Sequence, residues 1–174
     1  MLLSLDSFPA AARPSRLSEL PDGAAGTRAT LARMAQLIRD AAVAESVRGL
    51  AESIVADVPS KDYLRELAVI QAWVRENVRY TRDVSGVETL IKPAALIASR
   101  QGDCDDHAML VGALAMSVGF PVRLVALGYQ APGVYDHVLA ECKIGAAWLT
   151  VETTEPVPVG WRPARPACFL VEYV

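Results

Sequence analysis

Apolar residues recur at three- and four-residue spacing through the first two thirds of the chain and at every second position through the last third. Leu31, Met34, Leu37 and Ile38 mark one face of a helix that Thr27 can cap, and Val47, Leu50 and Ile54 mark a second over about 45–56. Pro59 and Ser60 restart the chain, with Ser60 as an expected N-cap and Asp62 in the first turn. Leu64, Leu67, Val69, Ile70, Trp73, Val74 and Val78 then form a long apolar stripe, ending near residue 79. Residues 81–92 read as a loop turning at Ser85-Gly86, and Pro93 suits the first turn of a short helix over 93–100. Residues 104–118 are apolar almost all round, as in a helix buried on most sides, and Gly119 and Pro121 stop it. Strands are expected at about 121–129, 134–142, 147–153 and 168–173. Helices first and antiparallel strands after them argue an α+β fold with helices against one face of a sheet.

A length of 174 residues suits one domain with an appendage. We divide it into an N-terminal arm or tail over 1–26, a helical lead-in over 27–59 and a principal domain over 60–174. The arm is rich in Pro, Ala, Arg and Gly, with turn signals but no sustained period. It reads either as a flexible tail or as a segment that orders on a partner. Mixed charge with a net of −3 argues against a nucleic-acid partner, which usually meets a basic patch. No apolar run has the roughly 18 residues of a membrane helix. The start, Met1 to Pro9, lacks a basic region and is broken by Asp6, so no signal peptide is expected and synthesis is expected to be cytoplasmic. Cysteines at 104, 142 and 168 are an odd, widely spaced set, neither a disulfide framework nor a CxxC metal site.

Candidate chemistry starts at Arg100-Gln-Gly-Asp-Cys104-Asp-Asp-His-Ala, where a turn enters the buried helix. Asp103 is a natural N-cap, which places Cys104 in the first helical turn. Unpaired N–H groups and the helix dipole there favour a thiolate, and the Cys104 N–H can help hold an oxyanion. Asp103, Asp105 and Asp106 oppose a further negative charge. A nucleophile, a small buried hydrophobe and a hard-metal site of Asp103, Asp105, Asp106 and His107 are the competing readings. The metal reading is weakened because consecutive helical positions fan around the axis.

The chain has two histidines. His107 lies one turn along the cysteine's helix, in a polar turn that gives it an ordinary solvated role. His137 lies in the segment Val134-Tyr-Asp-His-Val-Leu-Ala-Glu-Cys142. Centring the following hairpin between Ile144 and Gly145 sets Val138 against Val151, Ala140 against Leu149 and Cys142 against Ala147, one wholly apolar face. On the other face His137 then opposes Glu152, with Cβ atoms about 4.5–5.5 Å apart. The Glu152 carboxylate can accept the imidazole N–H, fix its tautomer and stabilise the imidazolium.

These pieces together resemble the transglutaminase-like superfamily of cysteine hydrolases. The residues that carry the resemblance are Gly102-Asp103-Cys104, Gly119-Phe-Pro-Val-Arg123, Asp136-His137-Val138, Trp148-Leu-Thr-Val-Glu152 and, upstream, Trp73-Val-Arg-Glu-Asn-Val-Arg-Tyr80. Two positions depart from the pattern: Glu152 stands where Asp is usual, and Val138 follows the histidine where many relatives carry Ala-Trp. The resemblance implies a papain-like α+β core and covalent thiol acyl chemistry by a triad of Cys104, His137 and Glu152. It implies no metal and no organic cofactor, and a protein or peptide substrate, peptidoglycan peptides included. For the second oxyanion donor, Gln101 is the nearest side chain. The short chain, the acidic Gly102–Asp106 turn and the helical lead-in look most like versions from tailed bacteriophages and prophages, which implies a virion or tail-associated protein whose arm binds tail proteins. The alternatives are an inactive structural protein that keeps the fold, and a peptide- or glycan-binding module that uses the cleft without turnover.

Overall fold

The computed structural model describes residues 15–16, 23–82 and 89–174. Most of the expected arm, and the turn expected at Ser85-Gly86, lie outside the described residues. Five helices are described: α1 (Gly23–Ala42), α2 (Glu45–Val55), α3 (Tyr63–Asn77), α4 (Pro93–Ser99) and α5 (Cys104–Ser117). Four short strands accompany them: β1 (Ser15–Arg16), β2 (Arg79–Tyr80), β3 (Thr89–Leu90) and β4 (Gln101–Gly102). The last third forms β5 (Val122–Gly128), β6 (His137–Ile144), β7 (Ala147–Val151) and β8 (Cys168–Tyr173). The expected α+β fold is the fold observed.

Three local boundaries differ from expectation, each for a visible reason. Helix α1 begins upstream of Thr27, whose hydroxyl donates back to the Gly23 carbonyl at 3.3 Å instead of capping. Helix α3 is capped by Asp62, which accepts the Arg65 N–H at 3.2 Å, because Lys61 turns the chain through the left-handed region (φ 67°) after Ser60. Strand β6 begins at His137, three residues later than expected.

Helix α5 is the centre of the molecule. Its residues 105–115 are buried, and α1, α2, α3 and α4 all pack on it. Leu31, Met34 and Ile38 of α1 are fully buried, so the lead-in is part of one core with the principal domain. The main sheet has the order β7-β6-β5-β8 with antiparallel neighbours. Val122, Leu124, Ala126, Ala140, Cys142, Val151 and Leu170 turn one face of it toward the helices. Val125, Leu127 and Leu139 form a smaller cluster on the other face. Strand β1 pairs antiparallel with β3, so part of the arm lies along the segment leading to α4. Among the described residues no helix is long and apolar enough to cross a membrane.

The β6–β7 register corrects the sequence expectation by two residues. Ala140 pairs with Val151, Cys142 with Leu149 and Ile144 with Ala147. The turn is therefore Gly145-Ala146, where Gly145 takes the positive φ (60°) that a tight hairpin demands. A two-residue shift preserves which side chains share a face. The apolar face survives it, and His137 and Glu152 remain on a common side, diagonal to one another.

Candidate active site

Cys104 is the first residue of α5, and three interactions fix the turn that carries it. Asp103 caps the helix, accepting the N–H groups of Asp105 and Asp106 at 3.0 and 3.3 Å. Asp106 completes a capping box by accepting the Asp103 N–H at 3.3 Å, and its other oxygen accepts the Ile91 N–H at 2.7 Å. Strand β4 runs parallel to β2, with Tyr80 opposite Gly102. A Cβ at Gly102 would stand 2.7 Å from the Asp106 side chain, so the box closes only over glycine. The three acidic residues are thus not equivalent: Asp103 and Asp106 build the turn, while Asp105 faces the sulfur, accepting from Cys104 Sγ at 3.5 Å.

Burial pushes the Cys104 thiol well up, and the charges of Asp105 and Asp103 add to that; the backbone amide of Val138 opposes them by favouring the thiolate. That amide lies beyond the last β6–β7 pair, Ala140 with Val151, where the ladder has opened. The sulfur is therefore set against the start of β6, next to His137.

His137 Nε2 lies 2.7 Å from Glu152 Oε2. Glu152 is only 2% exposed, and its second oxygen accepts the Thr154 N–H at 2.6 Å and the Thr154 hydroxyl at 2.8 Å. Burial disfavours its charge, but His137 and Thr154 outweigh burial and hold its pKa down at about 2. Burial likewise opposes an imidazolium at His137; the hydrogen bond and charge of Glu152, with Asp105 and Asp136 behind them, raise its pKa above 6.5 nonetheless. Diagonal neighbours across an antiparallel pair have Cα atoms about 7–8 Å apart. The extra methylene of Glu over Asp suits that longer span.

Several contributors carry no obvious sequence signal. Gln71 of α3 is buried and donates to the Glu152 carbonyl at 2.7 Å and the Val157 carbonyl at 3.1 Å, fixing the segment that bears the acid. His107 is 1% exposed, not solvated as expected: its Nδ1 meets Thr153 Oγ1 at 3.2 Å and its ring lies edge-on to Tyr80, with centroids 6.0 Å apart. Among the described residues its Nε2 has no hydrogen-bond partner, and burial lowers its pKa, so it is a neutral brace between α5 and the Glu152 segment. The Gln101 side chain accepts Arg79 Nη2 at 2.8 Å on an exposed surface, which gives no support to an oxyanion role. Cys142 is buried with its thiol pushed up to about 12, and both Cys142 and Cys168 are free of disulfides.

His137 and Glu152 line a cleft of ≈ 430 Å³ with Tyr80, Arg82, Tyr129 and Trp161 along its walls. Glu155, Thr154 and Pro163 complete its rim.

Residues 48–153 match the model of the transglutaminase-like superfamily. No curated protein matches the chain. Among solved structures the chain is similar to a "Putative Cysteine Protease from Cytophaga hutchinsonii", with a TM-score of 0.53 and 19% identity over 79% of this chain and 55% of that one. A second similarity is to a "putative protease from Parabacteroides distasonis", with a TM-score of 0.58 and 12% identity over 83% of this chain and 29% of that one. A third is to LapG from Legionella pneumophila in a calcium-bound form, with a TM-score of 0.51 and 15% identity over 72% of this chain and 73% of that one. The chain spans about half the length of the first of these and under a third of the second. Asp103, Cys104 and Asp105 bring one donor atom each within 4.8 Å of one another. Of these, Asp103 already accepts from two helix amides and Asp105 from the Cys104 thiol.

Proposed function

The chain belongs to the transglutaminase-like superfamily, and from that premise we propose that it is a cysteine hydrolase, a peptidase or amidase, acting through Cys104, His137 and Glu152. The observation that carries the reading is the 2.7 Å contact of His137 Nε2 with the buried Glu152 carboxylate, at the strand start whose next amide meets the Cys104 sulfur. With Nε2 committed to the acid, Nδ1 is the nitrogen available to the thiol. His137 takes the thiol proton as sulfur attacks an amide carbonyl carbon. The C–S bond forms and the carbonyl oxygen becomes an oxyanion, to which the Cys104 N–H donates. Collapse breaks the C–N bond, and His137 returns the proton to the leaving amine. Water then gives a proton to His137 and attacks the thioester, releasing the acid and restoring the thiol. An amine in place of water would give transfer. No step calls on a metal or organic cofactor.

The buried, carboxylate-flanked thiol dictates how the base must work. A standing thiolate is disfavoured, so the proton leaves Cys104 as the attack proceeds. The competent state pairs a neutral thiol with a neutral His137. Because the His137 pKa is raised above 6.5, the base form is lost as pH falls through that raised value. We expect the rate of Cys104 alkylation by iodoacetamide to rise through an inflection above 6.5, and the Glu152→Gln variant to move that inflection downward. A rate that climbs only in the strongly alkaline range would show a thiol ionising unaided. It would favour the second reading, an inactive structural relative, for which the raised Cys104 pKa is the supporting observation.

The acidic turn at Gly102–Asp106 and the short helical lead-in support placing the activity in a phage tail or virion, with the arm as the assembly segment. In that setting the peptide of a bacterial cell wall is the fitting substrate.

A further inference from the structure

The cleft beside the triad carries one feature that amide hydrolysis does not require. Arg82 lines it, exposed, together with Tyr80; burial raises the Tyr80 pKa, the charges of Cys104 and Asp103 raise it further, and Arg82 opposes them. Among the described lining residues Arg82 is the one permanent cation. Among the described residues, the charged groups besides His137 that act on the sulfur and His137 or line this rim are acidic: Asp103 and Asp105 beside the sulfur, Asp136 behind His137, and Glu155 on the rim. The Glu152 charge is already met by His137. Along the described rim, Glu155 would repel an anionic substrate and Arg82 would attract one. A guanidinium presents a planar fork that matches a carboxylate bidentately. The neighbouring walls, Tyr80, Tyr129 and Trp161, are flat amphipathic surfaces suited to an extended chain.

We infer that Arg82 is a substrate-carboxylate subsite of this cleft, so that the preferred acyl donor is a peptide with a free carboxylate at or next to the scissile residue. The placement follows from reach. One extended residue spans about 3.3–3.6 Å, and Arg82 lines the same cleft as His137 and Glu152. A carboxylate held there belongs to the residue being cleaved or its immediate neighbour, whether as an acidic side chain or as a chain terminus. The inference rests on Cys104 being the nucleophile, and its test separates the two.

The probes are iodoacetate and iodoacetamide, which differ in one carboxylate and react with the same sulfur. The readout is the ratio of their alkylation rates at Cys104, measured by peptide mapping on the full chain. We expect Arg82→Gln to lower the iodoacetate-to-iodoacetamide ratio by about tenfold, the scale of one charge-assisted bidentate contact. Lys92→Gln, which removes an exposed cation outside the cleft, should leave the ratio unchanged. Peptide pairs differing by Glu against Gln next to the scissile bond should show the same Arg82-dependent preference and distinguish a side-chain acid from a terminus. A ratio that Arg82→Gln leaves within twofold of the original, with Cys104 still alkylated by both reagents, overturns the subsite and spares the catalytic reading. Failure of both reagents to modify Cys104 in the unaltered protein removes the catalytic reading and the subsite with it.

Discussion

Glu152→Gln is expected to lower turnover by about 10³–10⁴-fold, as the acid-to-amide change does in a serine-protease triad, with the fold retained by circular dichroism. The direction follows from the donors around the carboxylate. Thr154 sends two hydrogen bonds to one oxygen, and His137 Nε2 meets the other. A Gln side chain can keep the Thr154 pair only with its carbonyl oxygen. Its amide NH₂ then faces Nε2 and donates to it, which drives the ring proton onto Nδ1, the nitrogen that must accept from the thiol. The volume is kept and the tautomer is inverted. Glu155 supplies the internal control. It is exposed on the rim beside Pro156, and no bond to His137 is made by it. Glu155→Gln should change turnover by less than about threefold, within the range of ordinary surface substitutions. If Glu155 were the sensitive position, the pairing of His137 would have to be redrawn.

Asp106→Ala is expected to be the most damaging substitution to stability among the acidic residues of the turn. Asp106 is 1% exposed and accepts from two separate amides, Ile91 and Asp103. Truncation strands both donors at a partly buried position, at about 1–3 kcal/mol for each. For a chain of this size a loss of roughly 2–6 kcal/mol lowers Tm by about 4–24 °C. Activity should fall as well, because the same box sets the entry angle of α5 and hence the sulfur. Asp105, which accepts from the thiol instead of closing the box, should behave oppositely: Asp105→Asn removes a charge that opposes the thiolate and should speed Cys104 alkylation. Thermal melting and the alkylation rate, measured on both variants, separate the two roles.

Much of the architecture was legible in the chain because it is written in periodicity. The helical stripe of Leu31, Met34 and Ile38 and the alternation around Leu124, Ala126, Ala140 and Cys142 are direct consequences of which faces are buried. The hairpin register was not legible, since a shift of two residues leaves every side chain on the same face. The decision falls to the turn, where Gly145 accepts a positive φ. The approach of His137 and Glu152 survived that error because it depends on parity and on the reach of a glutamate. His107 could not be read correctly from its polar neighbours, because what buries it, the Glu152–Thr154 segment, lies far along the chain. Gln71 did leave a faint trace: a polar residue beside Ile70 in an otherwise apolar stripe is a candidate for a buried hydrogen bond. Asp106 left a clearer one, three residues after the capping Asp103, where an acid can reach back to close the box.

The central claim is that Cys104 is a nucleophile activated by His137, and the most direct test is site-resolved alkylation with and without that base. Limited treatment with iodoacetamide near neutral pH, followed by peptide mapping, should modify Cys104 ahead of Cys142 and Cys168. His137→Ala should slow the Cys104 reaction by at least about tenfold, at the low end of what a positioned general base contributes, and leave the other two cysteines unchanged. Preferential modification of Cys142 or Cys168, or a Cys104 rate indifferent to His137→Ala, would contradict the account.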